Sequence, residues 1–344
     1  MLQILNKTPF SSGIGLFTAA DGTEWVAAVV KATFTLPAGD ATATLSNEQL
    51  PIREYDSYFG EPGQSSVQYP ADLMLNKPAT DIGVIGAVHS PAERPVTQLV
   101  ASIAVGAVRK QIFVIGDRQW GKRTLLPGMV MSSPKSFVTL PLRYELSFGG
   151  YDRTASESAS SWDARNPIGR GYLLTERAVD GSSLPNFEDP EQPISSWRDR
   201  PPVSGLGFID RSWYPRMKFA GTYDSIWRQH RFPLLPDDFD NRFFNCAANG
   251  LTAPGYLKGD ELVELVHLSC HGLIRFRLPS LQIRMRFQFG GQLYDRPTAL
   301  FSLVFEPEAE RFYMVWGSSF PVGKQPSLLR YVKIEREHGL LVCS

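Results

Sequence analysis

From residue 281 to 289 the chain alternates strictly. Leu281, Ile283, Met285, Phe287 and Phe289 fall on one side, and Gln282, Arg284, Arg286 and Gln288 on the other. Period two over nine residues builds a strand with one apolar and one polar face, and the apolar face has to be covered by another part of the chain. Gly290-Gly291 ends the run. Further strand signals lie on both sides of it. Trp25-Val26-Ala27-Ala28-Val29-Val30 is apolar on both faces, Ala32 and Phe34 continue one of them, and such a strand is expected to be covered on both sides. Residues 82–88, 98–108 and 111–115 repeat the pattern, and only Arg109-Lys110 separates the last two, which predicts a hairpin. Residues 298–305 and 311–316 predict another, closed by the acidic loop 306–310. Residues 137–148 contain Pro141, so they read as an edge strand or as two strands with a bend.

Helical signals are sparse. Pro236-Asp237-Asp238 offers a cap, and Phe239, Phe243 and Ala247 recur every four residues, so a helix is expected from about 237. Residues 261–268 fit a helix or a strand, with β-branched residues and flanking turn signals favouring the strand. Gly 29 and Pro 26 in 344 residues add to the picture of many turns and few long helices. The fold class expected is mainly β: antiparallel sheets, sandwich or barrel-like, with long ordered loops and one or two short helices. Residues 1–344 read as one β-rich domain, with possible lobes 1–150 and 206–344 joined by the loop-rich excursion 151–205.

Charge and cysteine usage narrow the function classes. Lys+Arg 35 balances Asp+Glu 35, so the basic excess of a dedicated nucleic-acid binder is missing. No window approaches the ~18 uninterrupted apolar residues of a membrane span, and no signal peptide opens the chain. Three scattered cysteines, Cys246, Cys270 and Cys343, form no disulfide framework. The expectation is a cytoplasmic protein that engages neither nucleic acid nor membrane.

Signatures of common enzymes are absent: the chain has no G-x-x-x-x-G-K-[ST], H-E-x-x-H or G-x-S-x-G string. His267-Leu268-Ser269-Cys270-His271 gathers two imidazoles and a thiol, but strand alternation would point Cys270 away from both histidines, and no second cluster completes a zinc site. No metal and no cofactor are expected. Glu145 and Asp152 are the carboxylates on which a hydrolase reading would rest. The candidate partner-binding residues are Arg275, Arg277, Arg284 and Arg286, which would form a guanidinium face if their two strands pair, against the alternative of a solvated sheet face. Should that face not bind, the loop-rich region between Gly149 and Gly207 is the next candidate. The aromatic stretch 197–244 reads as core rather than binding surface.

A series of short strings runs through the chain in order. Val29-Val30-Lys31-Ala32-Thr33-Phe34 is followed by Asp72-Leu73 and Lys77-Pro78-Ala79-Thr80-Asp81, then by Tyr144-Glu145-Leu146-Ser147-Phe148-Gly149-Gly150-Tyr151-Asp152 and Asn166-Pro167-Ile168-Gly169. Leu184-Pro185-Asn186-Phe187-Glu188, Trp213-Tyr214-Pro215-Arg216, Ala220-Gly221-Thr222-Tyr223-Asp224 and Phe243-Phe244-Asn245 complete it. Together they resemble a family of type VI secretion accessory proteins, encoded in Gram-negative bacteria beside PAAR-like effectors and VgrG spikes. The resemblance implies an adaptor or chaperone that binds a PAAR-like effector or spike-tip protein, and possibly VgrG, and assists loading onto the spike. It implies no catalytic residue, so an enzyme is not expected. The alternatives are a carboxylate-dependent hydrolase and a structural component carried with the spike. After Asn245 the sequence Cys246-Ala247-Ala248-Asn249-Gly250 departs from the Pro-Asp-Gln-like continuation usual in that family.

Overall fold

A computed structural model describes residues 2–37, 42–123, 128–152, 154 and 161–337. The fold is mainly β, with several antiparallel sheets, none closed into a barrel, and two short α-helices. Three sheets carry most of it. The first has five strands, in the order Ser11–Thr18, Glu24–Thr35, Arg311–Pro321, Ala299–Glu306 and Asp81–Val84. The second also has five, in the order Phe187–Glu188, Val108–Ile115, Gln98–Val105, Leu262–Val266 and Leu273–Arg277. The third has four: Gln3–Asn6, Leu329–Arg336, Ile283–Phe289 and Gln292–Arg296.

Both ends of the chain enter the same sheets. Glu24–Thr35 pairs with Arg311–Pro321 along its length, and Gln3–Asn6 runs parallel to Leu329–Arg336. One apolar core draws side chains from Phe10 to Ile334 and includes Val30, Ile103, Val263, Phe287 and Phe312. The two-sided burial expected of the strand through Val30 is realised from Val26 to Phe34. The alternating run also behaves as its pattern requires, with Ile283, Met285 and Phe287 buried and Arg284 on the opposite face.

Two local expectations shift. The hairpin of the second sheet turns at Gly106-Ala107, three residues before Arg109-Lys110, because Gly106 adopts the positive φ of +56° suited to the first position of a two-residue loop. Arg109 and Lys110 thereby join the second strand. The helix expected from 237 does not form; a single 3-10 turn, Asn241–Phe244, stands there with Asp240 as its cap. The side chains that would start a helix are committed elsewhere. Asp238 accepts from the Thr222 amide and hydroxyl, Asp237 pairs with Arg231, and Asn245 is pulled into extended backbone by its bonds to Ala79 and Asp81. The α-helices are instead Tyr214–Met217 and Ser225–His230. The 261–268 segment forms the strand Leu262–Val266, and residues 137–148 break into a short strand, Thr139–Pro141, and a 3-10 turn, Tyr144–Leu146. His338 and Cys343 lie outside the described residues.

Candidate functional site

The strings that gave the resemblance supply two of the fold's buried ion pairs. Lys31 sits in the doubly covered strand with its ammonium fully buried, paired with Asp72 and donating to the Pro51 carbonyl at 2.9 Å. Asp72 also accepts the Arg53 amide at 2.7 Å. Burial pushes the Lys31 ammonium below its ordinary range and the Asp72 carboxyl above it.

Lys77 and Asp81 form a second buried pair at 2.7 Å. Here the partners overcome burial. Desolvation alone would favour the neutral forms, yet Asp81 carries Lys77 above its ordinary value, and Lys77, the Cys246 amide and Asn245 hold Asp81 below its own. Lys77 also donates to Ser302 Oγ at 3.0 Å, and its Nζ lies 3.9 Å from Cys246 Sγ. Burial pushes that thiol up to about 12, so Cys246 is no nucleophile near neutral pH.

The two carboxylates on which a hydrolase would depend are also engaged. Glu145 accepts from the Ser66 amide at 2.9 Å and from the Ser66 hydroxyl. Asp152 is buried and accepts from Thr154 and from the Leu174 and Thr175 amides; burial opposes its ionisation, but these donors hold it below its ordinary value. The glycines beside it serve close packing. Gly149 has φ +147°, and a side chain there would meet the Asn166 carbonyl at 2.1 Å. Asn166 is fully buried and donates to the Tyr144 and Phe148 carbonyls, so the two strings lock onto each other.

The four candidate arginines do not share a hairpin. Arg275 and Arg277 lie on Leu273–Arg277 of the second sheet, whereas Arg284 and Arg286 lie on Ile283–Phe289 of the third. The connection runs this way because each strand has a better-matched neighbour, Leu262–Val266 for the first and Leu329–Arg336 for the second. Each guanidinium also has a carboxylate beside it: Glu264, Asp260, Asp295 and Glu335 respectively. His267 ends its strand at φ +57° with Nδ1 2.9 Å from the Val100 carbonyl oxygen, and Cys270 is exposed. Among the described residues, no group of three or more His, Cys, Asp and Glu is placed to hold a metal ion, and no helix is long and apolar enough to cross a membrane.

Sequence reasoning did not find the groove that lies over the loop-rich region. A cavity of about 630 Å³ is lined by Arg165, Arg200, Arg216, Lys218 and Arg242 and by no carboxylate. A neighbouring cavity of about 420 Å³ contains Arg109 and Lys110 together with Asp189 and Glu191. Pro202, Val203 and Asn249 border both, so the two lie side by side. The loop-rich excursion contributes Arg165, Arg200 and the Pro202-Val203 border; the short helix Tyr214–Met217 contributes Arg216.

Within the groove, Arg165 and Arg242 are neutralised by Asp163 and Asp240. Arg109, Lys110, Arg200, Arg216 and Lys218 have no carboxylate within ion-pair distance among the described residues, although Asp189 acts on Lys110 and Asp210 on Arg216 from further away. Arg216 is buried and donates only to carbonyls, to Phe243 and Ile209 at 3.0 Å each. Lys218 lies over the Phe219 ring, 4.8 Å from its centre, and Arg200 over Tyr172 at 4.7 Å. Lys110 donates to the Asn249 carbonyl. The aromatic stretch divides: Phe208 and Trp213 are core, whereas Tyr214, Tyr223 and Phe232 are more than half exposed.

A bacterial family described as "Uncharacterized protein conserved in bacteria" matches residues 21–317. No curated protein and no solved structure matches the chain.

Proposed function

The chain belongs to this bacterial family, matched over residues 21–317, and from that premise we propose that it is a cytoplasmic adaptor of type VI secretion. It binds a PAAR-like effector or spike-tip protein and assists its loading onto VgrG. The ordered strings that resemble the secretion accessory proteins support the choice of system. The observation that carries a binding role is the groove, where unpaired cations gather on the surface of a chain whose formal charge is zero. A site built for hydrolysis would hold ionisable groups free to exchange protons; Glu145 and Asp152 are tied to backbone amides and hydroxyls instead. A cationic groove recognises and orients an anionic surface by long-range attraction, which suits a partner held firmly and later released.

The test is to co-express the tagged chain with the product of each neighbouring gene, and to follow export of any PAAR-like product in cells lacking the chain. A stable complex with one such product, whose export is lost without the chain, is the expected result. Export that is unaffected by the deletion overturns the adaptor reading. Recovery of the chain itself in the secreted fraction would favour a component that travels with the spike.

A further inference from the structure

We propose that the groove from Lys110 to Lys218 is the docking site for an extended acidic segment of the client protein, its carboxylates meeting Arg109, Lys110, Arg200 and Lys218. The proposal rests on the adaptor reading for the identity of the client, but the binding chemistry stands on the groove alone.

Charge complementarity selects the occupant. Four cations, Arg109, Lys110, Arg200 and Lys218, are exposed or half-exposed, and none is within ion-pair distance of a carboxylate among the described residues. Some exposed arginines elsewhere in the fold are paired, as Arg284 is with Asp295 and Arg211 with Asp56. A cluster of like charges left unpaired destabilises the free protein through mutual repulsion, and an anionic ligand relieves it. Arg216 in the same lining is buried and donates to carbonyls, and its positive charge adds to the field of the groove although buried Asp210 feels it and offsets part of it.

The shape favours a peptide. Two adjacent cavities of about 420 and 630 Å³, with Pro202, Val203 and Asn249 common to both, offer more room than a single carboxylate needs. Their walls are mixed, with Tyr214, Phe219 and Val203 offering apolar contact between the cations. Asp189 and Glu191 at the Lys110 end would repel a uniformly charged polyphosphate backbone, whereas a peptide can place a neutral or basic residue opposite them. Acidic residues interspersed with apolar or aromatic ones match this lining.

The experiment uses the full chain and a fluorescein-labelled peptide alternating glutamate and tyrosine, with anisotropy read at low and physiological salt. A peptide alternating lysine and tyrosine and an oligothymidylate are run beside it. The acidic peptide should bind, weaken as salt rises, and lose about tenfold in affinity in an Arg109→Glu/Lys218→Glu variant, since removing and reversing rim charges acts mainly through long-range attraction. Both side chains are exposed, and an unchanged near-UV spectrum verifies the fold. The Arg284→Ala/Arg286→Ala variant, altered outside the groove, should bind the peptide as the unaltered chain does. Equal binding of acidic and basic peptides, or unchanged affinity after charge reversal, overturns the proposal. Tighter binding of oligothymidylate, lost in the same variant, would make the groove a nucleic-acid site and overturn it too. The same variants assayed with a co-purifying client separate the two readings. A client that binds the charge-reversed chain undiminished removes the groove as its docking site while leaving the adaptor function intact, and a failed co-purification leaves the peptide measurement unaffected.

Discussion

The backbone amide of Cys246 donates to the Asp81 carboxylate at 2.7 Å and so joins positions 165 residues apart in the chain. Asp81 begins the edge strand of the first sheet, and its carboxylate also receives Lys77, Asn245 and Thr252. One buried anion thus fixes the segment following the aromatic stretch against the sheet, and with it the Ala247–Asn249 side of the groove.

Breaking this node should be costly. Lys77→Met leaves Asp81 buried without its cation, and a buried pair broken on one side typically destabilises by about 3–5 kcal/mol. The double variant Lys77→Met/Asp81→Asn removes both charges and should recover part of that loss. Urea denaturation of the two single variants and the double provides the comparison. A double variant as unstable as the sum of the singles would show that the two residues are not coupled.

The pair also sets a pH window. Lys77 is raised above its ordinary 10.5, so its contribution is fully present below 10.5 and is lost as pH rises through its higher folded value. Asp81 is lowered below its ordinary 3.8, so its contribution is present above 3.8 and is lost as pH falls through its lower folded value. Stability from the pair should therefore be flat across the neutral range and fall away at both extremes. The stability difference between the unaltered chain and Lys77→Met/Asp81→Asn should narrow in strong acid and strong alkali. A difference that stays constant with pH would refute the assignment.

The two described cysteines should differ in reactivity. In a Cys343→Ser background, exposed Cys270 should react promptly with an aromatic disulfide reagent, and Cys246 only after denaturation, because it is buried with its thiol pushed up to about 12. Fast reaction of two thiols in the native protein would contradict the placement of Cys246.

Deletion of residues 281–344 should abolish folding of the remainder. Arg311–Pro321 and Ala299–Glu306 occupy inner positions of the first sheet, between Glu24–Thr35 and Asp81–Val84, and Leu329–Arg336 is the partner of Gln3–Asn6. Without them Val30, Phe34 and Ile82 lose their cover. A soluble 1–280 fragment with a cooperative transition would be the contrary result.

How much of this was legible in the sequence follows from the range of each signal. Alternation at 281–289 and the apolar run through Val30 are local, and both strands form where the pattern puts them. The helix expected from Asp237 failed because its would-be caps bond to Thr222 and Arg231, partners that no local pattern reveals. A lysine inside an apolar run could have signalled a buried ion: Lys31 interrupts such a run, and its partner Asp72 lies in the next of the ordered strings. The groove was not legible. Its cations come from positions as distant as Arg109 and Lys218, and they meet only through the sheet that carries one and the short helix adjoining the other.

Binding of the acidic peptide should depend on pH through Lys110. Burial pulls its ammonium from 10.5 down to about 8, with Asp189 opposing the change. The groups lining the groove around it are Arg109 and Gln111 from its own strand, Asp189 and Glu191 from the turn beyond Phe187–Glu188, and the Asn249 carbonyl, which it already touches. A carboxylate arriving there favours the charged form, so affinity should be steady below pH 8 and decline as pH rises through that value, with the midpoint moving upward in the complex. Lys110→Arg keeps its charge throughout this range and should flatten the profile, while Lys110→Gln should bind more weakly at pH 7 and also lose the step. Anisotropy titrations of the three proteins with the glutamate–tyrosine peptide from pH 6.5 to 9.5, about 1.5 units either side of 8, span the transition of a single group. Identical declines in the unaltered chain and Lys110→Arg would assign the pH dependence to another group and remove Lys110 from the contact surface.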